Sequence, residues 1–341
     1  MRAVVYDDFG AAPEVRQVSD PAPPAGGVVV AVRATGLCRS DWHGWRGHDP
    51  DIRPPHVPGH EFAGEVVAVG AGVTNWRAGD RVTAPFICAC GTCPACLAGD
   101  QQVCHRQEQP GFTHWGSFAE LVVVHHAEVN LVRLGDEVSF TAAAGLGCRF
   151  ATAFRAVLAQ GRAGAGDWVA VHGCGGVGLS AVMVAAAAGA RVVAVDVQPA
   201  ALELAARFGA EVTVDATATP AAAAVREATG GGAHLSLDAL GSQETLTASI
   251  EGLRRRGRHV QVGLLPPQPV VPMGRVIGWE LEIVGSHGMP AHAYEKMLSL
   301  VATGALRPAE LVTGELTLAE APRALTAMDG PVPPGIRVIL P

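Results

Sequence analysis

The sequence predicts an α/β protein in which an irregular antiparallel barrel precedes a doubly wound parallel sheet. Two observations carry this. Beyond about residue 150, apolar runs begin near Trp168, Val192, Val212, Leu235, His259 and Ile283, about 20–24 residues apart. Alanine-rich stretches fill the gaps, and short buried strands alternating with helices mark a parallel sheet covered on both faces. The first ~150 residues have a different texture, rich in Gly, Pro, His and Cys with short β-branched runs between turns. The 341 residues leave room for about two domains of ~150 residues each.

In order along the chain, residues 28–32, 65–69, 81–83 and 121–124 read as strands, with Pro-rich turns at 21–24 and 53–55. In the second half, helices are expected at 179–188, 200–208, 221–228 and 245–253. The six intervening strands are the number a full dinucleotide-binding fold needs. The last ~50 residues return to Pro-bounded mixed structure, with a helix at 293–302 and a terminal strand at 336–340.

Composition narrows the chemistry. Charged residues make up 17% of the chain, against roughly 25% in an average soluble domain. Lys296 is the sole lysine, and Tyr6 and Tyr294 are the two tyrosines. Lys296 lies outside any Gly-Lys-Ser/Thr loop, so no Walker-type nucleotide site exists. A Tyr-x-x-x-Lys proton donor is also excluded, since Tyr294 and Lys296 are two apart. Redox chemistry here must find its acid elsewhere.

A net charge of −7 gives no general attraction to nucleic acid. The one basic cluster, Arg254, Arg255, Arg256 and Arg258, reads as a solvated helix C-terminus favoured by the dipole. The N-terminal residues carry no apolar signal region. The longest apolar stretch, 173–190, is glycine-broken and short for a bilayer. The expectation is a soluble, cytoplasmic protein without membrane or nucleic-acid partners. In such a compartment eight cysteines point to thiolate ligands rather than disulfides.

Two motifs carry the function. Trp168-Val169-Ala170-Val171 leads into Gly173-Cys174-Gly175-Gly176-Val177-Gly178 and then a helix. The G-x-G-x-x-G spacing alone is weak, but strand before and helix after is its required context. Gly173 permits the tight turn, Gly175 lets the backbone approach a pyrophosphate, and Gly178 allows close helix–strand packing. The helix N-terminus supplies N–H groups for phosphates. Eighteen residues beyond Gly178 the next strand ends in Asp196, followed by Val197 and Gln198 rather than arginine. Alone, Asp196 reads as a helix cap; with the loop it predicts NAD, because a carboxylate binds the ribose hydroxyls and repels a 2′-phosphate.

The second motif is Cys90, Cys93, Cys96 and Cys104, spaced C-x2-C-x2-C-x7-C in a glycine-rich lobe. Four thiolates suit a closed tetrahedral structural zinc. Iron–sulfur ligation competes, but the proline that follows the fourth ferredoxin cysteine is missing, since Cys104 precedes His105. The other cysteines are Cys38, Cys88, Cys148 and Cys174. Cys38 opens Cys38-Arg39-Ser40-Asp41-Trp42-His43; Gly59-His60-Glu61 and Gly147-Cys148-Arg149-Phe150-Ala151-Thr152 follow.

Together, and in this order over the whole chain, these segments resemble the zinc-dependent medium-chain alcohol dehydrogenase family. The resemblance implies a GroES-like catalytic domain (1–149), a Rossmann NAD-binding domain (150–288) and a C-terminal segment (289–341) that returns to the first. It makes Cys38, His60 and Cys148 the ligands of a catalytic zinc and places Glu61 near the metal as a transient ligand. Taken singly, Cys148 reads as a small core residue and Glu61 as a surface carboxylate. Asp41 would fix the tautomer of the ligand histidine.

The implied reaction oxidises a primary or secondary alcohol to aldehyde or ketone by hydride transfer to NAD. Two zincs per chain, one catalytic and one structural, are expected. Polyol or amino-alcohol oxidation is the nearest alternative, and a non-enzymatic NAD-binding relative a more distant one. Ser40 and His43 would relay the proton to solvent, a route that needs neither lysine nor tyrosine. Arg39 and Arg337 would hold the pyrophosphate, and Thr152, Val262 and Leu264 would border the nicotinamide. Phe86 and Trp115 are expected at the substrate pocket, while Trp42 and Trp45 read as packing. Cys88 reads as a packed thiol, and Cys174 takes a variable position of the glycine loop. Relatives form dimers and tetramers, so a homo-oligomer is expected.

Overall fold

The structure is a computed structural model that describes residues 1–265 and 267–341. These form two compact units: Met1–Ala151 with Gly288–Thr303 and Pro308–Pro341, and Thr152–His287 with Gly304–Arg307.

The first unit opens with an antiparallel hairpin, β1 (Arg2–Val5) and β2 (Glu14–Gln17). Its centre is β3 (Val28–Leu37), which pairs antiparallel with β4 (Phe62–Val69), β6 (Leu121–Val124) and β15 (Ile336–Leu340). The short strands β5 (Arg81–Thr83) and β7 (Val132–Arg133) extend the sheet on one side, and β14 (Val312–Thr317) runs parallel to β15 on the other. Val28, Val30 and Val32 enter a core with Phe62, Val66, Val82, Val122 and Val124, as a period of two requires. β3 runs five residues beyond the expected 28–32. Ala34 and Thr35 pair with β4, and Leu37 pairs with Arg337 of β15. The strand ends where Cys38 begins.

The second unit holds six strands: β8 (Trp168–His172), β9 (Arg191–Asp196), β10 (Ala210–Asp215), β11 (Ala233–Asp238), β12 (Leu253–Gln261) and β13 (Glu282–Gly285). Their order is β10-β9-β8-β11-β12-β13, and every pairing is parallel. Helices Gly176–Ala187, Pro199–Arg207, Ala221–Ala228 and Gln243–Glu251 link them. The strand order reverses between β8 and β11, and ligands of such sheets bind beyond the strand ends at that switch point. The glycine loop leaves β8 there.

One expectation is corrected. Arg254–Arg258 is not a helix end, because the preceding helix stops at Glu251 and the arginines lie within β12. Strand pairing claims the segment: Arg258 faces Leu235 of β11 and Glu282 of β13. It is buried, ion-paired to Glu282, and donates to the Gln160 carbonyl at 2.9 Å. Among the described residues no helix is long and apolar enough to cross a membrane.

Candidate functional site

Cys38 is the N-cap of a helix, Arg39–Trp45, that starts directly off β3. Asp41, in its first turn, is wholly buried and satisfies three donors. Its Oδ2 accepts from the Cys38 backbone N–H at 2.9 Å; its Oδ1 accepts from Gly59 N–H at 3.0 Å and faces His60 Nδ1 at 2.9 Å. One carboxylate thereby ties the Cys38 segment to the Gly59–His60 turn. It also puts the imidazole proton on Nδ1 and leaves His60 Nε2 as the ligating nitrogen, an orienting bond typical of metal-bound histidines. Nε2 is buried and has no hydrogen-bond partner.

Cys148 comes from a wide, π-helical turn, Leu146–Phe150, a local distortion common at functional sites. The Leu146 and Gly147 carbonyls that precede it both accept from Tyr294 Oη at 3.2 Å. One ligand atom each from Cys38, His60, Glu61 and Cys148 falls within 4.8 Å of the others. A hydrogen bond from Cys148 is the main cause that holds the Cys38 thiol well below its usual range. Burial opposes this, and the charges of Arg149 and His60 assist it. A buried thiolate beside a second thiol and an imidazole whose Nε2 is orphaned fits a soft or borderline divalent ion.

Glu61 has a different partner. Its Oε1 accepts from the Arg149 backbone N–H at 2.8 Å and from Nε at 3.1 Å, while Oε2 accepts from Nη2. Arg149 also donates to the Leu37 carbonyl at 3.1 Å. Both side chains are buried. Burial pushes the Glu61 carboxyl up, and the guanidinium opposes that rise. Sequence reading gave Arg149 no role. The signal was present, however: an arginine inside an apolar helical run needs a buried acid.

His43 is half-exposed on the same short helix as Ser40. Its Nδ1 lies 2.9 Å from Nδ1 of His48, a neighbour that no motif marks. Burial, then the charges of His48 and Arg39, pull its pKa below the ordinary value. Ser40 Oγ lies 3.8 Å from Cys38 Sγ. Phe86 and Phe112 flank His60, with ring centroids 6.0 and 5.1 Å away. Phe112 escaped sequence reading. Trp115 instead donates to the Pro55 carbonyl and lines a separate cavity with Met1 and Pro21. Trp45 is buried, and Trp42 bonds Asp329 and carries Arg39 at 5.0 Å over its ring. Arg39 also donates to the Met328 carbonyl at 2.5 Å. Arg337 is partly buried in β15 and, among the described residues, makes no ion pair.

The four lobe cysteines are buried together, with Cys93 and Cys96 sulfurs 3.4 Å apart, Cys93 and Cys104 3.8 Å, and Cys90 and Cys96 4.0 Å. A tetrahedral zinc with bonds of about 2.3 Å sets sulfurs about 3.8 Å apart, so the quartet fits one ion. Cys104 Sγ accepts from the Cys90 and Arg106 N–H groups, each at 3.3 Å. Backbone N–H donation from Thr92, with further help from Arg106, brings the Cys90 thiol down to about 5. Cys88 lies apart in the barrel core, where burial raises its thiol to about 12.

In the second unit, Gly173 has φ +87° and Gly175 caps the helix Gly176–Ala187. A Cβ at Gly178 would lie 1.8 Å from the Gly173 carbonyl oxygen, whereas one at Gly175 would meet nothing within 4 Å. The first contact demands glycine for packing. The second leaves open backbone that a pyrophosphate can approach. Gly176 and Val177 form the first helical turn, with free N–H groups for phosphate oxygens. Asp196 ends β9; its Oδ2 accepts from Cys174 N–H at 2.6 Å, and its Oδ1 from Val197 at 2.8 Å and Gln198 at 2.9 Å. Thr152 Oγ1 is buried without a partner. Val262 N–H bonds the Asp238 carbonyl, and Leu264, just beyond, is exposed.

Comparison with known proteins agrees with this chemistry. The alcohol dehydrogenase GroES-like domain matches residues 24–136, and the zinc-binding dehydrogenase domain matches 176–303. An alcohol dehydrogenase of Geobacillus stearothermophilus is 36% identical over 84% of both chains. A sorbitol dehydrogenase of Halalkalibacterium halodurans is 32% identical over 96% of both. The solved alcohol dehydrogenase of Thermus sp. ATN1 is 34% identical, with a TM-score of 0.92 over 100% of this chain and 99% of that one. Cys, His and Asp converging on one buried pocket, a cysteine lobe and a glycine loop at the switch point of a parallel sheet thus have a common explanation: the chain belongs to the zinc-dependent medium-chain alcohol dehydrogenases.

Proposed function

We propose that this alcohol dehydrogenase uses NAD and two zincs per chain, one held by Cys38, His60 and Cys148 and one by Cys90, Cys93, Cys96 and Cys104. It converts primary or secondary alcohols to aldehydes or ketones, reversibly. The convergence of two sulfurs and the orphaned His60 Nε2 on one buried spot, organised by Asp41, carries the reading. A zinc bound there supplies Lewis acidity, which lowers the pKa of an alcohol at its open position. The chain does the rest. Asp41 holds His60 as the Nε2 ligand, and Phe86 and Phe112 exclude water beside it. Ser40 takes the alcohol proton as it hands its own on through the ribose hydroxyls to His43, which, kept neutral by burial and by His48, releases it to solvent. The free guanidinium of Arg337, with Arg39, suits the pyrophosphate. Asp196 meets the ribose hydroxyls, and Thr152, Val262 and Leu264 border the nicotinamide.

Glu61 is engaged on both oxygens by Arg149. Its service as a transient zinc ligand therefore requires that pair to open. We assign the dinucleotide domain to 150–288, with the C-terminal segment returning to the barrel. All eight cysteines are free, which suits a reducing, cytoplasmic setting. The working assembly we propose is a homodimer or homotetramer. The sorbitol dehydrogenase relative favours a polyol as the second substrate class.

Metal analysis of the dialysed protein is expected to find two zincs per chain. Cys38→Ser loses one together with activity, and Cys93→Ser loses the other and lowers the melting temperature; a single zinc per wild-type chain, lost in Cys93→Ser but retained in Cys38→Ser, rejects the catalytic site. Asp196→Ala erodes the preference for NAD over NADP, and an unchanged ratio rejects its ribose contact. An NAD-reduction screen across primary, secondary, cyclic and polyol alcohols separates the substrate classes.

A further inference from the structure

Outside both thiolate sites, a third cluster of donors comes together in the first unit. Glu108 sits on the stretch that leaves the cysteine lobe; its backbone exchanges two hydrogen bonds with Cys88, at 2.7 and 2.8 Å. His114 closes a turn in which Gly111 N–H bonds its carbonyl at 2.9 Å. His125 directly follows β6. Three separate backbone segments, each fixed by its own hydrogen bonds, thus deliver a carboxylate and two imidazoles to one place. One ligand atom from each lies within 4.8 Å of the others, and all three residues are half-buried.

We propose that Glu108, His114 and His125 form a third metal site, which takes one divalent ion of the zinc class on two imidazoles and a carboxylate. Glu108 Oε2 is shielded from solvent and accepts no hydrogen bond, although His125 Nδ1 is 3.1 Å away. A carboxylate–imidazolium pair would explain one histidine only. The second ring, that of His114, stands 4.9 Å from the first at 65°. His114 is held in place by the backbone of β6. Its Nε2 lies 3.3 Å from the Val123 carbonyl oxygen, which accepts only, so the proton sits there. That carbonyl is the kind of outer partner that orients ligating histidines, and it leaves Nδ1 with a lone pair. Thr113 Oγ1, 3.2 Å away, competes for that lone pair and must turn to the Gln109 carbonyl on binding.

The dimensions suit a small ion. Zn–N and Zn–O bonds of about 2.0–2.2 Å put tetrahedral donors about 3.3 Å apart, close to the 3.1 Å between Glu108 and His125. Access exists as well, because His114 and His125 also line a cavity of ≈ 370 Å³ with Met1, Pro21, Leu121 and Val123. Three protein donors leave a fourth position for water. With nitrogen and oxygen donors only, this site is weaker than the thiolate pair and fills when metal is added.

The test uses holoenzyme dialysed to its resident zinc and then equilibrated with Co²⁺ alone at micromolar concentration. Wild type is expected to take up one additional equivalent, with weak d–d absorption and no thiolate-to-cobalt charge transfer. His125→Gln and Glu108→Gln each lose that equivalent while keeping alcohol oxidation. Added Zn²⁺ raises the melting temperature of wild type and not of the variants. Equal Co²⁺ uptake by wild type and either folded variant, or charge-transfer bands on the added equivalent, overturns the proposal.

Discussion

A Cβ at position 36 would lie 2.4 Å from Glu61 Oε2 and 2.7 Å from Arg149 Nη2, so glycine there makes room for the buried ion pair. Removal of one partner leaves an uncompensated charge, which costs about 3–5 kcal/mol. Arg149→Met is therefore expected to lose stability of that order in urea denaturation, and Arg149→Met with Glu61→Gln to recover part of it. His43 gives a second residue-scale prediction. It accepts a proton only when neutral, so alcohol oxidation falls as pH drops through its pKa. Burial and the charge of His48 keep that pKa low. His48→Gln removes the charge and raises the pKa, so the acid limb of kcat/KM moves to higher pH. An unmoved limb would take His43 out of the relay. Cys38, His60 and Cys148 were named through the family resemblance their motifs carry, and the fold brings them to one place. Arg149 and His48 were not, since a motif names no partner.

At the scale of elements, the glycine loop separates packing from binding. Gly178→Ala drives a Cβ against the Gly173 carbonyl at 1.8 Å, so the strand–helix junction must shift. Both thermal stability and dinucleotide affinity are expected to fall. Gly175→Ala meets open space. It should leave the melting temperature unchanged while weakening dinucleotide binding at least about tenfold, or 1.4 kcal/mol; calorimetry and titration distinguish the two. Both glycines could be read from spacing, because their roles are local. β3 could not be read to its end. Ala34 and Gly36 carry little β signal and flank the lone β-branched Thr35, so pairing with β4 and β15 is what holds the segment extended. The arginines of β12 misled for the same reason: sheet partners far along the chain outweigh local charge.

Across the whole molecule, buried neutral histidines set the acid limit. Burial is the main cause that pushes His172, at the end of β8, down to about 4. The unfolded chain protonates that imidazole near the ordinary 6.5, so between pH 6.5 and 4 it binds a proton the native state refuses. Stability from this group is complete above 6.5 and is lost as pH falls, reaching on the order of 3 kcal/mol near pH 4. His172→Leu is expected to flatten the pH dependence of the unfolding free energy in that window by about one proton; an identical slope would show that His172 does not titrate on unfolding.

The sequence by itself determined the two-part α/β plan, the six-strand alternation, the cysteine quartet and the glycine loop. These depend on period, spacing and residue type, which are local and survive in one dimension. Tertiary structure alone decided what each reactive group faces. Asp41 meets Gly59 and His60, Arg149 closes on Glu61 across 88 positions, and Glu108 comes to His125. Such contacts depend on where strands pair and turns close. A buried charge or lone pair is satisfied by whatever the fold brings within about 3 Å, whatever its distance along the chain.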